Sequence, residues 1–357
     1  MSAVNLWCPA PRKVAVFRAL NLGDLLCAIP ALRSLRQTLP AARITLIGLE
    51  SMRPLMQRFS HYVDELIAFP GYPAFPEQPA RSSALPDFYR RMQAQSFDLA
   101  LQMHGSGDHS NSIVQALGAR QWAGFVPEKS QQTPCLMAWP EGQPEVKRYL
   151  ALLEYLGLPK RGAEMEFPLN AKDLALARQV ASRVHISPAR TIFIHPGARL
   201  MSRRWPLRRF TEVGRHLALG GWRIAVTGSE AERPLTSGLA TAIGDSAVDL
   251  GGVTGLGALA SLLTHGRLLI CNDTGVSHIA AAVQLRSVII ASGSDVARWA
   301  PLNRNLHTVL HADMSCRPCA YDLCPIGHPC ALAITTEQVV SAALEQLAKG
   351  LNHEQRC

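Results

Sequence analysis

The sequence predicts an α/β protein of two doubly wound units, each a parallel sheet wrapped by helices. Three observations predict it. Short β-branched runs alternate with amphipathic stretches through the first half, the same alternation restarts in the second half, and 357 residues exceed one ordinary core.

In the first half, VAVF (14–17) leads into a helix-like segment reaching about Gln37, followed by RITLIG (43–48) and DLALQM (98–103). Runs of this kind, separated by helical crossovers, pair as parallel strands. FPGYPAFPEQPARSSALP (69–86) is rich in proline and small residues and reads as a long surface loop, a class that often carries function. A helix-like segment at Val146 to Leu158 precedes GLPKRGAEMEFPLN, a plausible linker. TIFIH (191–195), WRIAVTG (222–228), RLLICN (267–272) and RSVIIASG (286–293) then form a second set of buried-strand candidates. TTEQVVSAALEQLAKGL, with a threonine cap and apolar spacing of three and four, closes the chain as a helix. The expected boundaries are 1–165, 166–335 and a closing segment 336–357. Two such units side by side leave a central cleft at the carboxyl ends of their strands, where open α/β sheets bind ligands.

An apolar share of 48% with 18% charged residues is that of a globular chain, not a disordered one. The first residues lack the basic and apolar regions of a signal peptide, and no run approaches the ~18 apolar residues that span a bilayer. The expected location is cytoplasmic, at most touching a membrane surface. The net charge of +9 comes mainly from arginine, whose planar fork suits phosphate and carboxylate. Phosphorylated small molecules or anionic headgroups fit that charge. Nucleic acid is disfavoured, since no helix-turn-helix, zinc-finger or RNP signature is present and aromatics are 6%.

Four strand-to-helix motifs carry candidate chemistry. FRALNLGDLLCAIPAL places Gly23 and Asp24 where a strand meets a helix; Asp24 either works at the cleft mouth or caps the helix, which Pro30 should kink or break. The stretch does not match G-x-G-x-x-G, and only Glu50 sits where a dinucleotide site needs an acid, so a dehydrogenase is disfavoured. FIHPGARLMSRRWPLRRF ends a strand at His195 and sets Arg199, Arg203 and Arg204 before a helix starting near Pro206. This is a phosphate-binding arrangement, or else a solvated basic loop with Trp205 in the core. VTGSEAERP offers Glu230 and Glu232 to ribose hydroxyls, or to the first turn of a helix. LLICNDTGVSHIAAA is the most informative: Asp273, Thr274 and Gly275 follow a buried strand, Ser277 and His278 enter the next helix, and together they can hold a diphosphate, or else they gather at the helix start by chance or for capping.

Taken in order, FRALNLGD with LCAIPALRSL, HPGAR with RRWP, TGSEAE and CNDTGVSHIAAA resemble the family 9 glycosyltransferases, the ADP-heptose:lipopolysaccharide heptosyltransferases and their relatives. The resemblance implies a GT-B architecture of two Rossmann-like domains, the first for acceptor and the second for donor. It implies metal-independent, inverting transfer of heptose, or a related sugar, from ADP-heptose to a glycan or glycolipid hydroxyl, most simply in the lipopolysaccharide core. By the same resemblance Asp24 is the candidate base. Asp273, Thr274, Gly275 and His278 hold the donor with Glu232, for which Glu230 is the runner-up. Arg203 or Arg204 stands where many relatives have lysine. No cofactor is implied, and peripheral contact with the inner face of the inner membrane is allowed.

Of nine cysteines, Cys8, Cys27, Cys135, Cys271 and Cys357 are scattered and read as small hydrophobes or loose ends. Cys316, Cys319, Cys324 and Cys330, with His328 nearby, are spaced C-x2-C-x4-C-x5-C. That spacing invites zinc or iron yet fits neither a zinc ribbon nor a plant-type ferredoxin, and free or disulfide-linked cysteines are the expectation. Two further functions remain open at this point: a GT-B-type sugar-nucleotide epimerase, and a non-catalytic relative that binds a nucleotide or polyanion.

Overall fold

A computed structural model describes residues 6–354, with side chains to residue 350. Cys357 and the last residues of the expected closing segment lie outside that range. The chain divides into two compact units, Met1–Met165 and Glu166–Cys357.

The first unit is built on β1 (Lys13–Phe17), β2 (Arg43–Gly48), β3 (Glu65–Ala68), β4 (Leu99–Gln102), β5 (Gln121–Val126) and β6 (Leu136–Ala138). They lie in the order β3-β2-β1-β4-β5-β6, and the paired strands run parallel. In β1, four consecutive buried residues, Val14 to Phe17, show why the sequence reads as an unbroken apolar run: helices cover both faces, so no position turns to water. Phe17, Phe69, Phe88 and Ile113 are among the residues forming one core on this sheet.

The second unit repeats the plan with β7 (Thr191–His195), β8 (Arg223–Val226), β9 (Ala247–Asp249), β10 (Leu268–Asn272), β11 (Ser287–Ile290) and β12 (His307–Leu310). Their order is β12-β11-β10-β7-β8-β9, again parallel. Ile192, Ile270, Phe210 and Val339 belong to its core. The closing helix, Thr336–Glu354, packs on the helix Leu207–Leu219 and on β11. Its start carries the expected threonine cap: the Gln338 amide donates to Thr335 Oγ1 at 3.3 Å, while the Gln338 side chain accepts from the Thr335 amide at 2.8 Å.

Both sheets share one consequence of their order. The winding reverses between β1 and β4 in the first unit and between β7 and β10 in the second, so the loops leaving these central strands diverge to opposite faces and open a crevice at the carboxyl edge. Each of the four strand-to-helix motifs follows a strand of one of these sheets, and three of them leave the strands that bound the reversals.

Of the two outcomes expected at Pro30, the break does not occur. The helix Leu22–Thr38 runs through Pro30 without ending, because residues from Leu25 to Leu32 are all buried against the unit's interior and packing offsets the lost hydrogen bond. Among the described residues, no helix is long and apolar enough to cross a membrane.

Two buried imidazoles make the fold acid-sensitive. Burial, followed by the charge of Arg18, holds His104 down to about 3, against a smaller opposing effect of Glu145. His307, whose Nδ1 pairs with Ser287 Oγ at 2.8 Å, is held down to about 4 by burial and then by Arg304, His278 and Arg286. The unfolded chain protonates these rings below about 6.5 whereas the folded chain does not, so the stability is complete above that pH and is lost as pH falls toward 4 and then 3. Urea midpoints recorded across this window should fall continuously, and His307→Gln should flatten the decline; a constant midpoint would contradict the assignment.

Candidate functional site

In the first unit, the loop leaving β1 carries Gly23 and Asp24 into the helix Leu22–Thr38, whose N-cap is Asn21. Asp24 is therefore the third helical residue and not the cap. Its half-buried side chain sits where the positive helix end favours a carboxylate. The backbone here is pinned from beneath. Arg18, fully buried at the end of β1, donates from Nε at 3.0 Å and from Nη2 to the carbonyl oxygen of Asp24, and from Nη1 to that of Met103 at 2.6 Å. One guanidinium thus ties the loop after β1 to the loop after β4.

Burial works against the Arg18 charge, but Tyr149, Glu145 and Asp24 together hold it more firmly protonated than usual. Glu145 lies 3.4 Å from Arg18 and 3.1 Å from Arg148, and Tyr149 donates to it; all four side chains are buried. Arg18 also lies 4.3 Å from the Tyr149 ring centroid. A charge network of this kind holds only when every member is partnered, which makes it a rigid seat for the loop above.

In the second unit, β10 ends at Asn272, and the helix Gly275–Ala282 starts directly after Thr274. Thr274, its N-cap, makes no side-chain capping bond, and Thr274 and Gly275 are half-buried while Asp273 and His278 are buried. The edge of His278 meets Trp299 at a ring separation of 6.2 Å. Asn272 joins this segment to the arginine loop after β7: its Nδ2 donates to the Pro196 carbonyl at 2.7 Å, and its Oδ1 accepts from the Trp205 amide at 2.9 Å. Trp205 is buried, with Nε1 donating to the Ile334 carbonyl at 3.0 Å.

Arg203 ends a short 3-10 turn, Met201–Arg203, and the helix begins at Leu207 with Pro206 as N-cap. Arg199 is exposed, whereas Arg203 and Arg204 are half-buried. Arg204 Nε donates to the Ala198 carbonyl at 2.8 Å, and Arg203 Nε is buried without a hydrogen-bond partner among the described residues. Glu232 joins this group. Burial alone would raise its carboxyl, but hydrogen bonds from the Ser229 amide and hydroxyl, with His195 and Arg204 nearby, hold it below the usual range. The carboxylate presses on Gly197, where any Cβ would collide with it. Glu232 also closes a capping box with Ser229, so the helix-start reading and the clustering both hold for this residue. Glu230 is exposed and reaches Arg233 at 3.5 Å, outside that cluster.

The cysteine-rich segment has a place that its spacing did not reveal. It is strapped across the loops that follow β7 and β11. Ser202, between Met201 and Arg203, donates its amide to the Asp322 carbonyl at 2.8 Å and its hydroxyl to Tyr321, while its own carbonyl accepts from His328 Nε2. Cys319 donates its amide to the Gly293 carbonyl at 2.9 Å, and the approach is close: a Cβ at Gly293 would lie 2.7 Å from the Cys319 sulfur and would require that side chain to move. Cys316, Cys319, Cys324 and Cys330 are free thiols, and burial pushes that of Cys330 up. Among the described residues, no group of three or more His, Cys, Asp or Glu side chains is placed to hold a metal ion.

Two doubly wound units, with basic and helix-start loops at the second unit's reversal, define a nucleotide-sugar-type transferase frame. Comparison with known proteins makes it specific. Residues 86–329 match the model of glycosyltransferase family 9 (heptosyltransferase), and the chain belongs to that family. It is 20% identical over 314 residues to lipopolysaccharide heptosyltransferase 1 of Pseudomonas aeruginosa, covering 87% of each chain. A family 9 glycosyl transferase of Veillonella parvula matches with a TM-score of 0.78 at 19% identity, over 95% of this chain and 98% of the other. The ADP-heptose LPS heptosyltransferase II of Escherichia coli matches with a TM-score of 0.71 at 18% identity, over 95% and 99%. The protein is a glycosyltransferase with the GT-B fold, and the epimerase reading falls away.

The Asn272 tie is directly testable. Asn272→Ala leaves the Trp205 N–H and the Pro196 carbonyl buried without partners, at about 1–3 kcal/mol each. Urea unfolding should show a loss of about 2–6 kcal/mol; a loss below about 0.5 kcal/mol, the range of neutral surface changes, would show that the loops do not depend on it.

Proposed function

We propose that this enzyme transfers heptose from ADP-heptose to a hydroxyl of the lipopolysaccharide core, with inversion and without a metal. The observation that carries the reading is the D-T-G-V-S-H segment at the reversal of the second sheet, tied through Asn272 to the arginine loop. The names of the Pseudomonas and Escherichia relatives support the sugar, the donor and the acceptor class.

The second unit, residues 166–335, is the donor domain of this reading. Amides at the start of the helix Gly275–Ala282 point along a positive helix end, where a diphosphate is favoured. His278 and Arg203 or Arg204 add charge-assisted donors, Thr274 adds a hydroxyl and Asp273 fixes the turn. Glu232, beside Gly197, takes the ribose hydroxyls. As the glycosidic bond to ADP breaks, negative charge gathers on the diphosphate, and fixed donors stabilise it without a divalent cation.

The first unit, residues 1–165, is the acceptor domain. Asp24, held in register by Arg18, takes the proton from the attacking hydroxyl. The closing helix within 336–357 supports the donor domain. The enzyme works on the cytoplasmic side, where a net charge of +9 favours an anionic, lipid-linked acceptor at the inner face of the inner membrane.

The two roles separate by mutation. Asp24→Asn keeps the side-chain shape but removes the proton acceptor, so turnover should fall by ~10² or more with ADP affinity within a few-fold. His278→Ala should weaken ADP binding by about 1–3 kcal/mol. Calorimetric titration at fixed salt, with a turnover assay, reads both. Unchanged ADP affinity in His278→Ala removes the donor assignment, and near-normal turnover in Asp24→Asn removes the base.

A further inference from the structure

The loop after β4, MHGSGDHS, belongs to none of the motifs above, yet it forms the other lip of the first unit's crevice. β4 lies directly beside β1, with Gln102 opposite Phe17, so residues 103–109 leave the sheet next to the segment that leads to Asp24. Arg18 makes the link physical by holding the carbonyls of both Met103 and Asp24. His104 follows immediately.

Its ring is fixed on three sides. Phe17 stacks on it at a centroid distance of 5.2 Å and Phe75, from the proline-rich loop, lies at 4.2 Å on a ring tilted by 32°. The Ala19 amide donates to Nδ1 at 3.2 Å. A backbone N–H can only donate, so Nδ1 must be the unprotonated nitrogen and Nε2 carries the hydrogen. Burial, then Arg18, opposed by Glu145, keeps the ring neutral in the working range. Nε2 has no hydrogen-bond partner among the described residues, and it is not one of the nitrogens sealed from solvent. The neighbouring Gly105 backbone borders open space.

A neutral imidazole with one nitrogen occupied and the other protonated has no free lone pair. At the pH where the ring stays neutral it takes no proton, and its single available function is to donate one hydrogen bond from a fixed position. We propose that His104 is an acceptor-binding residue, whose Nε2–H donates to an oxygen of the incoming glycan at the crevice that also carries Asp24. This rests on the acceptor-domain reading above. It divides the labour within the first unit: Asp24 accepts the proton, and His104 orients the sugar that loses it. Because the ring is uncharged, it selects for a lone pair in the correct position and not for net charge.

The test uses the full-length protein, ADP-heptose, and a deacylated, heptose-free lipopolysaccharide core fragment as probe. His104→Asn retains an oxygen near the Nδ1 position for the Ala19 amide but is too short to replace Nε2–H. His104→Gln places an amide N–H near the Nε2 position. We expect His104→Asn to raise the KM for the core fragment about three- to tenfold, the scale of one neutral hydrogen bond, with kcat at saturating acceptor and ADP affinity little changed. His104→Gln should recover much of the loss.

A role confined to holding the loop would instead lower thermal stability and turnover together and show no rescue by glutamine. Either that pattern or an unchanged acceptor KM overturns the proposal. Should Asp24→Asn lose turnover while His104→Asn keeps its acceptor KM, only the His104 assignment fails. A parent enzyme that neither binds nor glycosylates the fragment overturns the acceptor reading, and this inference with it.

Discussion

The reversal of winding in each parallel sheet is the constraint from which the rest of the molecule follows. Parallel strands joined by helical crossovers must place those helices on one face or the other, and where the choice changes, the two central loops separate. In this chain that occurs between β1 and β4 and again between β7 and β10. No packing requirement fills the resulting crevices, so the loops beside them are free to carry chemistry while the strands beneath remain fixed by burial.

Loops that carry chemistry must still be held, and each unit solves this with one buried polar side chain that spans the reversal. Arg18 binds the backbone on both sides in the first unit, and in the second Asn272, at the end of β10, reaches across to the backbone of the loop after β7. The arginine needs Glu145 and Tyr149 beneath it to be tolerable when fully buried, and the amide needs no counter-charge because it satisfies its neighbours with one donor and one acceptor. The cysteine-rich strap adds a third tie, from the arginine loop at Ser202 to the loop after β11 at Gly293.

The central strands were legible because complete burial writes itself as unbroken apolar runs, as in VAVF and LLICN. The peripheral strands were not. β6 and β9 are three residues long and only half-buried, and β3 is ELIA with one buried position, so none leaves a periodic signal. The positions of Asp24, His278 and the arginines followed from strand-to-helix spacing, whereas what anchors them did not. Arg18 reads as an ordinary basic residue, Asn272 as one letter of a motif and His104 as part of a glycine-rich loop. Their meaning lies in contacts with residues 6 to 127 positions away, which no local pattern contains. The cysteine spacing left metal open beside the expected free or disulfide-linked thiols, and it gave no sign of the backbone hydrogen bonds that strap this segment to Ser202 and Gly293.

If the second sheet's reversal is the donor site, ADP should order the loops that bound it before any acceptor is present. Hydrogen–deuterium exchange on the full chain, with and without ADP, measures this directly. Slower exchange is predicted for amides in residues 196–206 and 274–278, with little change at the amino-terminal ends of the strands. Protection concentrated elsewhere, with these two segments unchanged, would contradict the account.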